Sequence, residues 1–189
     1  MFHDALVPFV ERRIITMILT GNKIKEEVRK GRIIIEDFCE ECCTTNSYDL
    51  TLGNQLIRYT SEYVDPKQEP VYEIVEIPED GLILEKRSFY LGSSKEVIGS
   101  EHYVPLVHAK SGIARMGLFV HVTADLVDIG SIGNITFQLH ATLPIKVYPG
   151  MKIGQATFWV PEGEIELYHG KYQHSKGPQV SKTYLDYKE

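Results

Sequence analysis

The amino-acid sequence predicts an all-β domain, a distorted jelly roll or β-barrel, with one short helix near its N-terminus. Short runs rich in Val, Ile, Tyr, Phe and Thr recur between turn residues over most of the chain. Helical periodicity is confined to one segment that precedes them. No internal repeat is visible, which disfavours solenoids and propellers and leaves a sandwich, jelly roll or barrel.

The predicted helix lies in the segment TGNKIKEEVRKG. Thr20 or Asn22 can cap its N-terminus, because their side-chain oxygens accept from backbone amides of the first turn. Ile24 and Val28 are four residues apart and so share one face. Gly31 provides the stop signal.

Ten strands are predicted after this helix, each bounded by turn residues. The polar, acidic stretch 61–80 contains Pro66, Pro70 and Pro78, cannot be a central strand, and is predicted to be a surface excursion. These segments make residues 17–167 one β domain, preceded by an extension at 1–16 whose apolar side chains could pack on a neighbouring subunit. The predicted strands are 32–35, 48–52, 55–59, 82–85, 88–92, 103–108, 118–122, 134–140, 145–148 and 152–160.

Composition narrows the function classes. A chain of 189 residues with 43% hydrophobic and 24% charged residues is ordinary for one globular domain. The net charge of −6 speaks against a nucleic-acid or anionic-membrane partner, since both require a basic surface. No apolar run approaches the roughly 20 residues of a membrane span, and Glu11, Arg12 and Arg13 interrupt any signal peptide. The sequence therefore predicts a soluble, cytoplasmic protein.

Cysteines and histidines give no metal site. Cys39, Cys42 and Cys43 are predicted to be reduced, and no second CxxC pair or paired His cluster completes four zinc ligands. His121 and His140 lie in predicted strand segments, and we interpret them as buried or interface side chains rather than ligands.

Five segments in a fixed order carry a family resemblance. They are SYDLTLGNQL (47–56), SGIARMGLFVHVTADLVDIGSIGNITFQL (111–139), PGMKIGQATF (149–158), YHGKYQ (168–173) and GPQVS (177–181). Their order and spacing resemble the dCTP deaminase/dUTPase family. The resemblance implies a dUTPase-like jelly roll, a homotrimer with active sites between subunits, dUTP or dCTP as substrate, and a tail at 168–189 that closes over the active site, on the nucleotide of a neighbouring subunit.

The segment AKSGIAR is the predicted phosphate site. Lys110 and Arg115 flank a Ser-Gly pair, which suits a turn whose amides and hydroxyl contact phosphate. In the family, the matching serine segment binds the triphosphate and the attacking water. The usual pattern is Arg-Ser-Ser, whereas this chain has Lys110, Ser111 and Gly112, so Ser111 to Ala114 looks more like the Ser-Gly-Leu-Ala of trimeric dUTPases.

The next part of the same long segment resembles the base-recognition hairpin of the family. There a backbone turn, which begins here at Thr123 and Ala124, reads the pyrimidine edge, and an acid contacts the deoxyribose or the water. Asp128 falls on that acid. The matching residue of dUTPases orients the water that attacks phosphorus, with Mg²⁺ held on the phosphates.

The tail is predicted to complete the site. Lys171 offers a point charge for a phosphate oxygen, and Tyr168 and Tyr172 offer aromatic faces for the sugar or base. By composition alone, the same residues also fit a frayed, solvated tail.

Position 138 separates the possible reactions. Deaminases of the family carry a glutamate there, and this chain has Gln138, whose amide cannot shuttle a proton at neutral pH. The sequence therefore favours dUTP diphosphatase, which yields dUMP and pyrophosphate. The alternatives are a dCTP deaminase, either monofunctional or bifunctional, and a member that binds nucleotide without turnover. HVTA at 121–124 and the tail favour the deaminase branch. The non-catalytic member is favoured by four substitutions: Lys110, Gly112, Ser131 in place of a bulky aromatic, and Ser175 in place of Gln.

Overall fold

The computed structural model describes residues 17–121 and 123–188, and over these residues it has ten strands and two α-helices. Short 3₁₀ turns lie at Glu40–Cys42 and Thr183–Tyr187. The helices are α1 (Gly21–Arg29) and α2 (Ser111–Arg115); the strands are β1 (Ile34–Ile35), β2 (Tyr48–Tyr59), β3 (Tyr72–Glu76), β4 (Leu82–Leu84), β5 (Phe89–Gly99), β6 (Val104–Ala109), β7 (Leu118–Phe119), β8 (Ile132–Ala141), β9 (Ile145–Val147) and β10 (Lys152–Trp159).

The main sheet curls into a nearly closed, barrel-like wall. Its strand order is β6-β10-β2-β5-β8-β7, with β1 added to β5 and β3 added to β2, and all of these pairs are antiparallel. Strands β4 and β9 pair separately. The prediction of an all-β, dUTPase-like architecture is confirmed.

Successive side chains of β8 point alternately into the core and to the outer face of the sheet. Phe137, Leu139 and Ala141 are fully buried, because successive side chains of a strand point to opposite faces. Burying a side chain such as Phe137 stabilises the fold by about 2 to 3 kcal/mol. Gln138, between two of these core residues, is half-buried on the outer face.

Helix α1 begins and ends as predicted. The Thr20 hydroxyl accepts from the Lys23 amide at 3.4 Å, and Gly31 follows the helix with φ of 71°. Ile24 is buried against the sheet.

Glu27 also faces inward from α1, where its carboxylate is fully buried. It accepts from the Tyr103 hydroxyl at 2.8 Å and pairs with Arg32 at 2.9 Å and Lys23 at 3.0 Å. Burial alone would raise the pKa of Glu27, but the bonds from Lys23, Tyr103 and Lys30 and the Arg32 charge lower it to about 2. The network thus holds a buried anion between the helix and the sheet.

Several predicted boundaries were wrong, among them that of the strand predicted at 88–92, which as β5 continues to Gly99. Residues 48–52 and 55–59 form one continuous strand, β2, which crosses a register shift between Leu52 and Leu56 at its pairing with β5. The excursion 61–80 contains the strand β3, which pairs with β2 and is largely exposed. Pro70 and Pro78 lie outside β3 and leave its amides free to pair, as an edge strand allows.

The Ser-Gly segment is a short helix rather than a turn. Backbone bonds from Ala114 to the Lys110 carbonyl and from Met116 to the Ile113 carbonyl close successive turns, and Gly117, at φ of 84°, ends them. The fold thus has a second short helix in addition to the predicted one.

Parts of three predictions concern residues outside the described ones. The extension 1–16, with its expected apolar packing, lies outside them, as do Val122, at the end of the predicted strand 118–122, and Glu189 of the tail. Among the described residues, no helix has the length and apolarity needed to cross a bilayer.

Candidate functional site

A cavity of about 590 Å³ opens on the outer face of β5 and β8. Its volume lies in the range typical of small-molecule sites. The loop 121–131 and the C-terminal tail form its other walls. The residues that line it include Phe89, Leu91, His121, Thr123, Ala124, Asp128, Asn134, Thr136, Gln138, Tyr168, Tyr172, Ser175 and Gln179.

Strand register determines which side chains form the floor of the cavity. Leu91 of β5 lies opposite Gln138 of β8, and Phe89 lies opposite His140. Residues directly opposite in an antiparallel pair point to the same face. Gln138 therefore enters the cavity because Phe137 and Leu139 enter the core.

Gln138 is bonded at two points, just before loop 121–131 and within it. The Gln138 backbone amide donates to the Val120 carbonyl at 2.9 Å, and the Thr123 hydroxyl donates to Gln138 Oε1 at 3.3 Å. This places Thr123 and Ala124 beside the residue that separates the possible reactions.

Asp128 lies further along the same loop, with its carboxylate exposed at the cavity. The turn that presents it is fixed by its backbone: the Ser131 amide donates to the Asp128 carbonyl at 3.0 Å, and the Gly130 amide donates to the Ser100 carbonyl at 2.7 Å. Gly130 has φ of 86°, a conformation that favours glycine.

His121 is a lining residue that our sequence reasoning assigned to a structural role. Its Nε2 donates to the Ala124 carbonyl, while its Nδ1 is buried and has no hydrogen-bond partner among the described residues. Burial lowers the pKa of His121 below its usual value, although the bond to Ala124 opposes this. The ring is therefore neutral at pH 7.

The C-terminal tail docks along β8. The backbone amide of His174 donates to the Ile132 carbonyl, and the backbone amide of Asn134 donates to the Ser175 carbonyl, both at 2.9 Å. The backbone amide of Gln179 donates to Thr136 Oγ1 at 3.1 Å. These bonds are made within one chain and place Tyr168 and Tyr172 on the wall of the cavity.

Lys171 is not among the residues that line the cavity. Its ammonium group contacts both carboxylate oxygens of Asp186, at 2.6 and 2.5 Å, within the tail itself. This pair raises the pKa of Lys171. The expected phosphate contact of Lys171 stays a prediction.

The predicted phosphate segment also lies away from the cavity of its own chain. Lys110 donates to Asp49 Oδ1 at 2.6 Å, and Gln155 Nε2 donates to the same oxygen at 3.0 Å. Asp49 is buried, so the Lys110 charge compensates a carboxylate of the fold. Ser111, Gly112 and Arg115 are exposed on α2, and none of these four predicted residues lines the cavity.

The cavity of one chain therefore lacks cations. Among the described residues that line it there is no Lys or Arg, and Asp128 adds a negative charge. Beside it, Phe89 and Phe119 flank His140 on one outer face, and each is nearly half exposed, at 44% and 47%. The structure thus brings together Asp128, Gln138, Thr123, Ala124, Tyr168 and Tyr172, and separates them from Lys110, Ser111, Gly112, Arg115 and Lys171.

The side chains that line the cavity suit a metal ion that takes few of its ligands from the protein. No group of three or more His, Cys, Asp or Glu side chains suited to a metal ion occurs in the described part of the chain. A single exposed carboxylate, Asp128, fits Mg²⁺ that takes most of its oxygen ligands from phosphates and water.

Comparison with known proteins places this chain in a family. The family model described as dCTP deaminase-like matches residues 18–160. A protein of Clostridium beijerinckii named "dCTP deaminase, dUMP-forming" is 41% identical over 174 residues, which cover 92% of this chain and 100% of the relative. A protein of Leptospira biflexa with the same name is 38% identical over 92% of this chain and 99% of the relative.

A solved structure shares the fold. The 2'-deoxycytidine 5'-triphosphate deaminase of Agrobacterium tumefaciens superposes with a TM-score of 0.62 at 21% identity, over 77% of this chain and 49% of that chain. At this identity the match concerns the architecture alone.

Proposed function

Since this chain belongs to the dCTP deaminase-like enzyme family, we propose that it converts dCTP into dUMP, with release of ammonia and pyrophosphate. The observation that carries the proposal is the presence of Asp128, Thr123 and Ala124 around one cavity in a chain whose relatives are named dUMP-forming dCTP deaminases. Sequence reasoning alone favoured dUTP hydrolysis without deamination, and the names of the relatives support its alternative better.

Base recognition is assigned to the cavity of one chain. Gln138 and the backbone at Thr123 and Ala124 provide hydrogen-bonding groups at the floor, and Tyr168 and Tyr172 provide aromatic faces at the wall. Such a combination suits a flat pyrimidine with polar edges.

Triphosphate binding is assigned to a second copy of the chain. Three or four phosphate charges require cations, and the lining of one chain offers none among its described residues. Lys110, Ser111 and Arg115 of a neighbour supply cationic and hydroxyl groups if the copies pack against the exposed Phe89 and Phe119. This arrangement is the homotrimer with inter-subunit sites that the family resemblance implies.

Hydrolysis is assigned to Asp128. Its carboxylate orients a water molecule and accepts its proton as the oxygen attacks the α-phosphorus; the bond from that phosphorus to the bridging oxygen breaks, and pyrophosphate leaves. Mg²⁺ bound to the phosphates would neutralise the charge that develops on the leaving oxygens. Arg115 of the neighbouring copy acts on the same charge.

A second function, dUTP diphosphatase alone, is favoured by Gln138. The amide hydrogen-bonds to Thr123 and neither takes nor gives a proton at neutral pH, whereas hydrolysis between phosphates needs no group at this position.

The test is incubation of the protein with Mg²⁺ and either dCTP or dUTP, with products separated by ion-exchange chromatography. Formation of dUMP and ammonia from dCTP is the expected result. Formation of dUMP from dUTP alone would replace the proposal by diphosphatase activity, and no product from either would leave a nucleotide-binding protein without turnover.

A further inference from the structure

We propose that His121 carries the proton that the side chain at position 138 cannot carry in this chain. The proposal rests on the deamination of dCTP proposed above. It assigns a role to a histidine that sequence reasoning placed among structural side chains.

His121 lies close to Gln138 in the fold. Val120 and Thr123, one residue before and two residues after His121, both hydrogen-bond to Gln138, at 2.9 and 3.3 Å. His121 therefore lies in the short loop that packs directly on Gln138, and both side chains line the same cavity.

The hydrogen bonds of the His121 imidazole determine which of its nitrogens can accept a proton. A carbonyl oxygen only accepts, so the contact with Ala124 fixes the hydrogen of the neutral ring on Nε2. Nδ1 then carries a free lone pair. It is buried without a partner among the described residues, which is unfavourable relative to a paired acceptor. A buried acceptor of this kind requires an explanation, and a water bound with the substrate provides the missing donor.

Few side chains that line the cavity can act as a base. Asp128 is assigned to the phosphates, and no Glu, Lys or Cys lines the cavity among the described residues. Tyrosine and serine hydroxyls are too weakly basic to accept a proton at neutral pH. The His121 imidazole is the basic group that remains.

One imidazole can carry every proton transfer of the deamination. Water oxygen bonds to C4 of cytosine while Nδ1 takes one water proton and passes it to N3, which receives the electron pair of the C4–N3 double bond. The hydroxyl proton of the tetrahedral intermediate then passes through Nδ1 to the 4-amino group. The C4–N4 bond breaks, the C4 carbonyl forms, ammonia leaves, and the imidazole is neutral again.

His121→Gln is the matched variant. Its amide can still donate to the Ala124 carbonyl, while the basic nitrogen is lost. We expect kcat for dCTP deamination to fall at least about 100-fold, the usual contribution of a general base, while dUTP hydrolysis changes less than about 3-fold, because Asp128 serves that step. His102→Gln, at an exposed histidine outside the cavity, is the control and should leave both rates unchanged.

Gln138→Glu distinguishes proton transfer from a structural role. A carboxylate at 138 supplies its own base, so His121→Gln in that background should cost less than about 10-fold. Equal losses in both backgrounds would overturn the proton-carrier role and leave His121 a structural residue. Undiminished deamination by the single variant would also overturn it while the proposed function stands. A wild-type chain that leaves dCTP intact, with Gln138→Glu active, would refute the deaminase function and the role of His121 together.

Discussion

At the scale of single residues, the site is defined by what each side chain can do with a proton. Gln138 and a glutamate have nearly the same shape, yet only the acid can accept a proton from water at neutral pH. His121 has a ring nitrogen without a hydrogen-bond partner among the described residues, and Asp128 has an exposed carboxylate at the cavity. Three neighbouring positions of one cavity therefore have three different protonation chemistries.

Asp128→Asn is expected to reduce dUTP hydrolysis by about 100- to 1,000-fold, since the amide cannot accept the water proton. The exposed position of Asp128 makes the substitution harmless to folding, so the melting temperature should stay within about 1 °C. Steady-state kinetics and thermal unfolding check both statements. Asp80→Asn, at an exposed turn residue outside the cavity, is the control, and full turnover by Asp128→Asn would refute the assignment.

The pH dependence of deamination follows from the burial of His121. Burial lowers the pKa of the ring, the Ala124 carbonyl and the Asp125 charge raise it, and His108 lowers it; the Asp128 carboxylate faces the same cavity. The neutral ring is the active form, so the rate should be flat near neutrality and fall only in acid, as the ring gains its proton. A profile of kcat for dCTP from pH 4 to 8 measures this, and a rate that still rises between pH 7 and 8 would contradict a ring whose pKa is lowered by burial.

At the scale of elements, strand β8 both fills the core with its side chains and binds the C-terminal tail with its backbone. Its inward side chains Phe137 and Leu139 fill the core, and its backbone at Ile132 and Asn134 binds the tail. Gly133 permits the second function, because a Cβ built there would lie 2.8 Å from the Ser175 amide nitrogen.

Gly133→Ala is therefore expected to displace the tail from β8 while the core stays folded. The KM for nucleotide should rise by about tenfold or more, because Tyr168 and Tyr172 leave the wall of the cavity. Trypsin should also cleave faster after Lys176 and Lys182, which limited proteolysis followed by mass spectrometry detects. Cleavage and KM equal to those of the wild type would show that the strand accommodates the methyl group.

How much of this the sequence predicted depends on the range of the interactions. Local signals were sufficient for α1, where the Thr20 cap and Gly31 lie next to the helix. Alternation was sufficient for most strands. The edge strand β3 was missed because its side chains are exposed and its pairing with β2 depends on contacts distant in sequence.

The site was predicted unevenly for the same reason. The family motif identified Asp128 and Gln138, and the structure places both at the cavity. Nothing local to Lys110 indicates that its ammonium group is held by Asp49, 61 positions away in the sequence. The unpaired Nδ1 of His121 depends on the packing of the loop, so the sequence pattern gave only a buried or interface histidine.

At the scale of the whole molecule, the separation of base site and cations predicts an oligomer. A monomer would present an acidic residue and no lining cation to a triphosphate, among its described residues. We expect light scattering to give a mass about three times the 21.5 kDa of one chain. Phe119→Asp should dissociate it and abolish turnover, because a charge on the outer face would oppose close packing. A monomer that is fully active at micromolar concentration would exclude a site shared between subunits.

The docked tail also has a consequence for the order of events in a catalytic cycle. Between residues 168 and 188 no side chain is fully buried, and the tail is held mainly by hydrogen bonds to β8. A segment with so little apolar burial opens at small energetic cost, on the microsecond to millisecond scale of loop motions. We expect a product that lies beneath Tyr168 and Tyr172 to leave only after this opening. On this expectation, the speed at which the enzyme returns to its empty state depends on the last 22 residues of the chain rather than on the barrel.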